Sequence, residues 1–276
     1  VILAHNYQVE EVQDVADMVG DSFELSRAAA QSQADIIVFC GVHFMAEGAA
    51  VLAPDKIILL PDLTAGCPMA DMVTVKALRQ KKKEYPDAAV VTYVNSPASV
   101  KSESDICVTS SNAVEVVNSL QAPEVLFVPD MNLGSFVAGR TDKRVILWEG
   151  FCPTHHSVSV SDVAQARAAH PEAVVVVHPE CRPEVVDAAD CAFSTGGILT
   201  FARETGSKKI IVGTEKGLMY RLRKENPDKD FYLLSEKMVC PTMKLINLPK
   251  ILRSLETLEP RVIVPKVIRA QARRAL

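Results

Sequence analysis

Three Cys-Pro dipeptides stand in this chain, Cys67-Pro68, Cys152-Pro153 and Cys240-Pro241, separated by 85 and 88 residues. Thiolates hold metals and iron–sulfur clusters, and a proline often follows a ligand cysteine in cluster-binding sequences. The middle dipeptide lies in EGFCPTHH, so Cys152 with His155 or His156 also reads as a local zinc site. Neither of the other two copies carries such histidines. What the three cysteines share is the spacing. We therefore expect Cys67, Cys152 and Cys240 to converge as one set, with His156 no ligand and His155 only a lining residue.

Polar residues keep the same spacing. His5, Tyr93 and His178 close apolar runs and lie 88 and 85 residues apart; Ser22, Ser110 and Ser194 lie 88 and 84 apart. Residues i and i+2 at a strand end can point the same way, which pairs His5 with Tyr7, Tyr93 with Asn95 and His178 with Glu180. Histidine and glutamate move protons near neutral pH, and tyrosine donates a proton or a hydrogen bond. Ser22, Ser110, Ser194 and Thr195 read as helix starts, where hydroxyls and free backbone N–H groups hold carboxylate or phosphate oxygens. The chemistry expected is proton transfer on a small polyanion beside a metal centre. Three thiolates on a four-iron cluster would leave one iron open as a Lewis acid.

The elements that must position these groups repeat as well. IIVFCGVHF, VLFVPDMNL and IIVGTEKGL are apolar runs in one register, alternating with helical stretches such as VEEVQDVADMV and SDVAQARAAH. Continuous apolar strands alternating with helices imply βαβ units and buried parallel sheets. The fold expected is α/β: three homologous three-layer α/β/α domains about a pseudo-threefold axis. Prolines 86, 171 and 260 cut the chain into repeats 1–86, 87–171 and 172–260. The remainder, 261–276, reads as a strand and a helix that complete the first repeat. Ligands gather at the carboxyl ends of parallel strands, where all the polar residues above fall.

Composition narrows the classes. A net charge of −4 leaves no electrostatic footprint for nucleic acid. No apolar run reaches the roughly 20 residues that span a bilayer, and a cytoplasmic protein is expected. Seven cysteines at wide spacings argue against a disulfide framework and for a reducing compartment. Cys40, Cys107 and Cys191 read as small core residues, whereas Cys181 in HPEC fits either core or polar edge. The opening on Val1 inside an apolar run leads us to expect a segment ahead of it, and the chain shows no secretory leader.

AHNYQ, GDS, AGCPMADM, VTYVNS, TSSNA, GFCPTHH, HPEC, STGG and MVCPTMK together resemble the quinolinate synthase family, over nearly the whole chain. The resemblance implies condensation of iminoaspartate with dihydroxyacetone phosphate to quinolinate, with loss of phosphate and water, in de novo NAD biosynthesis. It implies a [4Fe-4S] cluster on Cys67, Cys152 and Cys240. It further implies catalytic roles for His5, Tyr7, Tyr93, His178 and Glu180, and substrate contacts from Ser22, Asn95, Ser110, Ser194 and Thr195. A functional coupling to an aspartate-oxidising enzyme follows from the pathway. One departure is that SEKMVC holds a single cysteine, where some members carry more. Rival readings are a cluster-dependent hydro-lyase of aconitase type, an iron–sulfur sensor or carrier, and the zinc site at Cys152.

Overall fold

The computed structural model describes residues 1–276. The first sheet contains β1 (Ile2–His5), β2 (Met18–Gly20), β3 (Ile36–Cys40) and β4 (Ile57–Leu59). The second contains β5 (Ala89–Tyr93), β6 (Ile106–Val108), β7 (Glu124–Val128) and β8 (Arg144–Leu147). The third contains β9 (Val174–Val177), β10 (Cys191–Ala192), β11 (Lys209–Gly213) and β12 (Asp230–Leu233). Every pairing is parallel, and the orders β2-β1-β3-β4, β6-β5-β7-β8 and β10-β9-β11-β12 are the same arrangement three times. The third strand of each unit is an almost unbroken apolar run because helices cover both faces, and Phe39, Phe127 and Ile211 are fully buried. The expected α/β class with three parallel sheets is what the chain forms.

Three helices close to the ends of the expected repeats each pack on the sheet that follows in the cycle. Helix Val75–Glu84, started by the Thr74 hydroxyl, sends Leu78 into the core of Val90, Val100 and Leu126. Helix Val160–Ala169, started by a Ser159–Asp162 capping box, sends Val163 against Val175 and Ile211. Helix Leu248–Thr257 sends Ile251 into the core of Leu3, Val38 and Phe39. Each of these helices thus packs on a different sheet from the one just completed. The hydrophobic cores change hands soon after each Cys-Pro, ahead of residues 86, 171 and 260, so the cysteine segments are the junctions between packed units.

The tail corrects one expectation. Residues 262–264 form no strand; the backbone makes a single antiparallel bridge, Leu59 to Arg261, flanked by Leu60 N–H to Pro260 O and Val262 N–H to Ile58 O. Pro260 and Pro265 bracket the segment and lack the N–H groups that a longer ladder needs. Val262, Val264 and Ala272 join the first core, while Ala275 of helix Lys266–Ala275 joins the second. The tail therefore ties two units together.

The third unit also touches the first at the backbone. A Cβ on Gly217 would lie 2.7 Å from the carbonyl carbon and oxygen of Tyr7 and 2.8 Å from its Cα. Only glycine permits that approach. Gly217→Ala is expected to cost about 1–3 kcal/mol of stability by overpacking; an unchanged thermal midpoint would show that the contact is not required.

Candidate active site

The carboxyl ends of all three sheets open on one cavity. The first unit contributes His5, Tyr7, Ser22 and Cys67 to its wall, the second Tyr93, Asn95, Ser110 and Cys152, and the third His178, Glu180, Thr195 and Cys240. Residues separated by most of the chain meet there because each follows a strand, and strand ends face the same edge of a parallel sheet. His155 also lines the cavity. His156 does not: its Nδ1 lies 3.0 Å from Asn132 Nδ2, and its ring packs on Phe151. Cys181 is fully buried with its thiol toward Gly213 O, Cys40 and Cys107 are buried, and Cys191 is half-buried in β10.

Ser194 is the one expected contact outside this wall. Its Oγ accepts the Gly197 N–H at 3.1 Å, capping helix Thr195–Glu204. In the first unit Asp21 is the cap and Ser22 the first helical residue, so the structural counterpart of Ser22 is Thr195. Ser110 stands in the turn ahead of helix Ala113–Ser119, with its Oγ 3.2 Å from His178 Nε2.

The strand-end pairs fix two histidine tautomers. His5 Nδ1 accepts the Tyr7 N–H at 3.1 Å, and His178 Nδ1 accepts the Glu180 N–H at 3.2 Å. An acceptor Nδ1 in a neutral ring puts the proton on Nε2, so both rings are Nε2–H donors. Both stay neutral. Burial, followed by the charge of Lys244, lowers His5 to about 3. Burial lowers His178 to about 3 against the opposing pull of Glu180.

Glu180 carries the central charge. Burial alone would raise its pKa, but the charge that His155 and His178 carry when protonated, together with hydrogen bonds from His155 and Tyr93, draws it down to about 2. His155 Nδ1 lies 2.7 Å from Glu180 Oε2 and 3.2 Å from Cys152 Sγ, while Asn95 Nδ2 donates to Glu180 Oε1 at 3.4 Å. The phenols of Tyr7 and Tyr93 are held protonated, first by burial and then by the negative charge of Glu180.

Sequence reading missed three supporting residues. Asp130 Oδ2 accepts the Cys152 N–H at 3.2 Å, and Glu215 Oε1 accepts the Cys240 N–H at 3.0 Å. The two carboxylates occupy one register position of VLFVPDMNL and IIVGTEKGL, where the first copy has Gly41, and that alignment was the available signal. The third is Thr214, whose Oγ1 lies 2.7 Å from Tyr7 Oη and 2.9 Å from His155 Nε2. Tyr7 Oη lies a further 2.9 Å from Thr195 Oγ1. A proton must lie between His155 Nδ1 and the ionised Glu180. With the ring neutral, Thr214 donates to Nε2, Tyr7 donates to Thr214, and Thr195 donates to Tyr7.

A family model described as Quinolinate synthetase A protein matches residues 1–276. Among curated proteins, the quinolinate synthase of Methanosarcina barkeri is 54% identical over 276 residues, which is all of this chain and 91% of that protein. The quinolinate synthase of Geobacter metallireducens is 56% identical over the same shares of each chain. That of Dehalococcoides mccartyi is 55% identical over 272 residues, 99% of this chain and 90% of its own.

This chain belongs to the quinolinate synthetase A protein family. Membership agrees with the donor chemistry of the cavity. The ligand atoms of Cys152, His155 and Glu180 lie within 4.8 Å of one another, an arrangement compatible with a metal cofactor. No helix is long and apolar enough to cross a membrane.

The buried groups set the pH response of a family member built this way. Between about 3 and 6.5 the unfolded chain binds protons at His5 and His178 that the fold refuses. Glu180 acts with the same sign below its ordinary value of 4.5. Stability should therefore fall as pH drops below about 6.5 and be regained on raising it. The urea midpoint at fixed cofactor content is expected to follow this slope, and His178→Gln should flatten it. Thr214→Val is expected to lower turnover roughly 10- to 100-fold, with Thr214→Ser restoring most of it. In a Tyr7→Phe background Thr214→Val should cost little more, and additive losses would remove Thr214 from the Tyr7 chain.

Proposed function

We propose that this chain condenses iminoaspartate with dihydroxyacetone phosphate to quinolinate, releasing phosphate and water, as a step of NAD biosynthesis. The observation that carries the reading is the joining of three Cys-Pro cysteines and the His, Tyr and Glu groups in one cavity of a chain with this family membership. An electron carrier needs no such set of proton-handling groups, and a hydro-lyase of aconitase type has no support from the relatives' names.

Cys67, Cys152 and Cys240 would hold a [4Fe-4S] cluster. The donor set fits: three thiols share one cavity wall, each in a segment opened by the Cys-Pro turn. The Cys152 and Cys240 backbones are held by Asp130 and Glu215. Burial raises the Cys67 thiol to about 12 and also raises the Cys152 thiol well above its ordinary value, which a bound cation reverses because metal ligation deprotonates thiols. When bound, such a cluster supplies an open iron as a Lewis acid for loss of hydroxyl.

The remaining steps fall to side chains. His5 and His178 offer neutral Nε2–H donors to substrate carbonyl or carboxylate oxygens without adding positive charge. Tyr93, held as a phenol, donates a proton to a departing hydroxyl, while Tyr7, whose proton bonds Thr214, fixes the Thr195–Tyr7–Thr214–His155 chain beside the substrate. Glu180, held ionised, accepts protons during enolisation and dehydration. Ser22, Asn95, Ser110 and Thr195 bind carboxylate and phosphate oxygens. The hydroxyl of Ser194, engaged by Gly197, holds the helix that presents Thr195. An aspartate-oxidising enzyme would supply the imine, in the cytoplasm.

Anaerobic assay with iminoaspartate and the triose phosphate, with citrate and malate as controls, tests the reaction. Replacing any of Cys67, Cys152 or Cys240 by serine is expected to abolish the brown chromophore and the activity together. A colourless, fully active Cys152→Ser protein would sink the proposal.

A further inference from the structure

Tyr7 lies in the loop that leaves β1, and its place is set largely from outside that loop. Its carbonyl accepts a hydrogen bond from the Lys244 ammonium, which stands in the short turn four residues past Cys240. The same ammonium reaches Glu215 Oε1 at 3.0 Å and Oε2 at 3.1 Å. An ammonium has three donors, and these three acceptors use them all. Glu215 is fully buried. Its remaining capacity goes to two backbone amides: Oε1 accepts the Cys240 N–H at 3.0 Å, and Oε2 accepts the Gly217 N–H at 2.6 Å.

Gly217 belongs to the turn that meets the Tyr7 backbone. Gln13 closes the same joint from the first unit. Its Nε2 donates to the carbonyls of Gly217 at 3.0 Å, Gln8 at 2.9 Å and Asn6 at 3.2 Å. The loop Asn6–Gln8 is thus clasped between the Gly217 turn and Lys244. Lys244 is not part of the cavity wall, so it reaches the chemistry only through what it holds. A buried ion pair with every donor and acceptor engaged has little freedom, and losing one partner leaves the other charge uncompensated. A displaced Cys240 amide therefore disturbs Glu215, and a displaced Glu215 disturbs the ammonium on Tyr7.

We infer that Lys244 is a positioning residue: it seats Tyr7 by its carbonyl and, through Glu215, makes that seat depend on the Cys240 segment. Tyr7 in turn sets the Thr195–Tyr7–Thr214–His155 chain, which ends on Glu180. Once Cys240 is fixed by ligation, the loop that holds Tyr7 is firmed as well. The effect on rate rests on the reaction proposed above, whereas the coupling itself rests on the hydrogen bonds alone.

The test compares the full chain, loaded with cluster and stripped of it, as wild type and as the double variant Glu215→Gln/Lys244→Met. The paired replacement leaves no buried charge unpaired, and the new amide oxygen can still accept the Cys240 N–H. Hydrogen exchange at the amides of residues 6–8 should be roughly tenfold or more faster in stripped than in loaded wild type. The double variant should show the fast rate in both states. Loaded, it should keep its chromophore and lose roughly tenfold or more in kcat, with both KM values within about threefold. Adding Tyr7→Phe should lower kcat little further. Equal exchange in loaded and stripped wild type would remove the coupling to Cys240, and slow exchange in the loaded double variant would remove the seat. A loss of kcat that adds to that of Tyr7→Phe would show Lys244 acting elsewhere. Wild-type protein that makes no quinolinate while its loop exchange follows the cluster would fail the proposed reaction and keep the clasp.

Discussion

An ionised carboxylate buried at the meeting point of three sheets is costly, and the cavity is arranged around that cost. Glu180 is flanked by His155 and His178 and held ionised by hydrogen bonds from His155 and Tyr93, with Asn95 also reaching its carboxylate. The same charge reaches outward, helping to hold Tyr7 and Tyr93 as phenols and to raise Cys67 and Cys152. A carboxylate in this setting is stable only while its partners stay in place. Since those partners come from the second and third units, the charge makes assembly of the units a condition of the site.

The packing meets that condition with no separate linkers. Leu78, Val163 and Ile251 lie on helices that follow a Cys-Pro turn and enter the core of a different unit. Each cysteine is therefore fixed from both sides, by the strand it follows and by the helix that leaves for the neighbour. The tail helix adds a further tie between the first and second cores through Ala272 and Ala275.

Much of this was legible in the residues. The register of Cys-Pro, of the strand-end pairs and of the hydroxyls specifies parallel α/β units and which residues reach the common edge, because parallel strands send all their carboxyl ends one way. The Ser22–Ser110–Ser194 alignment shows the limit of such reading. Spacing counts residues, whereas helix capping decides which hydroxyl is consumed, so Ser194 caps and Thr195 faces the cavity. The 262–264 run is as β-branched as the strands and still forms only a bridge, since its flanking prolines withhold donors.

By itself the sequence determined the three-unit α/β plan, the convergence of the cysteines and the chemical kinds of group around them, since these rest on periodicities of two residues, of a helical turn and of the repeat. Tertiary structure decided which hydrogen bonds those groups make. The tautomers of His5 and His178, the service of Asp130 and Glu215 to the cysteine backbones, the Thr214 link from Tyr7 to His155, and the hold of Lys244 on the Tyr7 carbonyl all depend on distances between residues remote in the chain. Proton positions and buried charges follow local geometry to within tenths of an ångström, and no spacing along the chain encodes that.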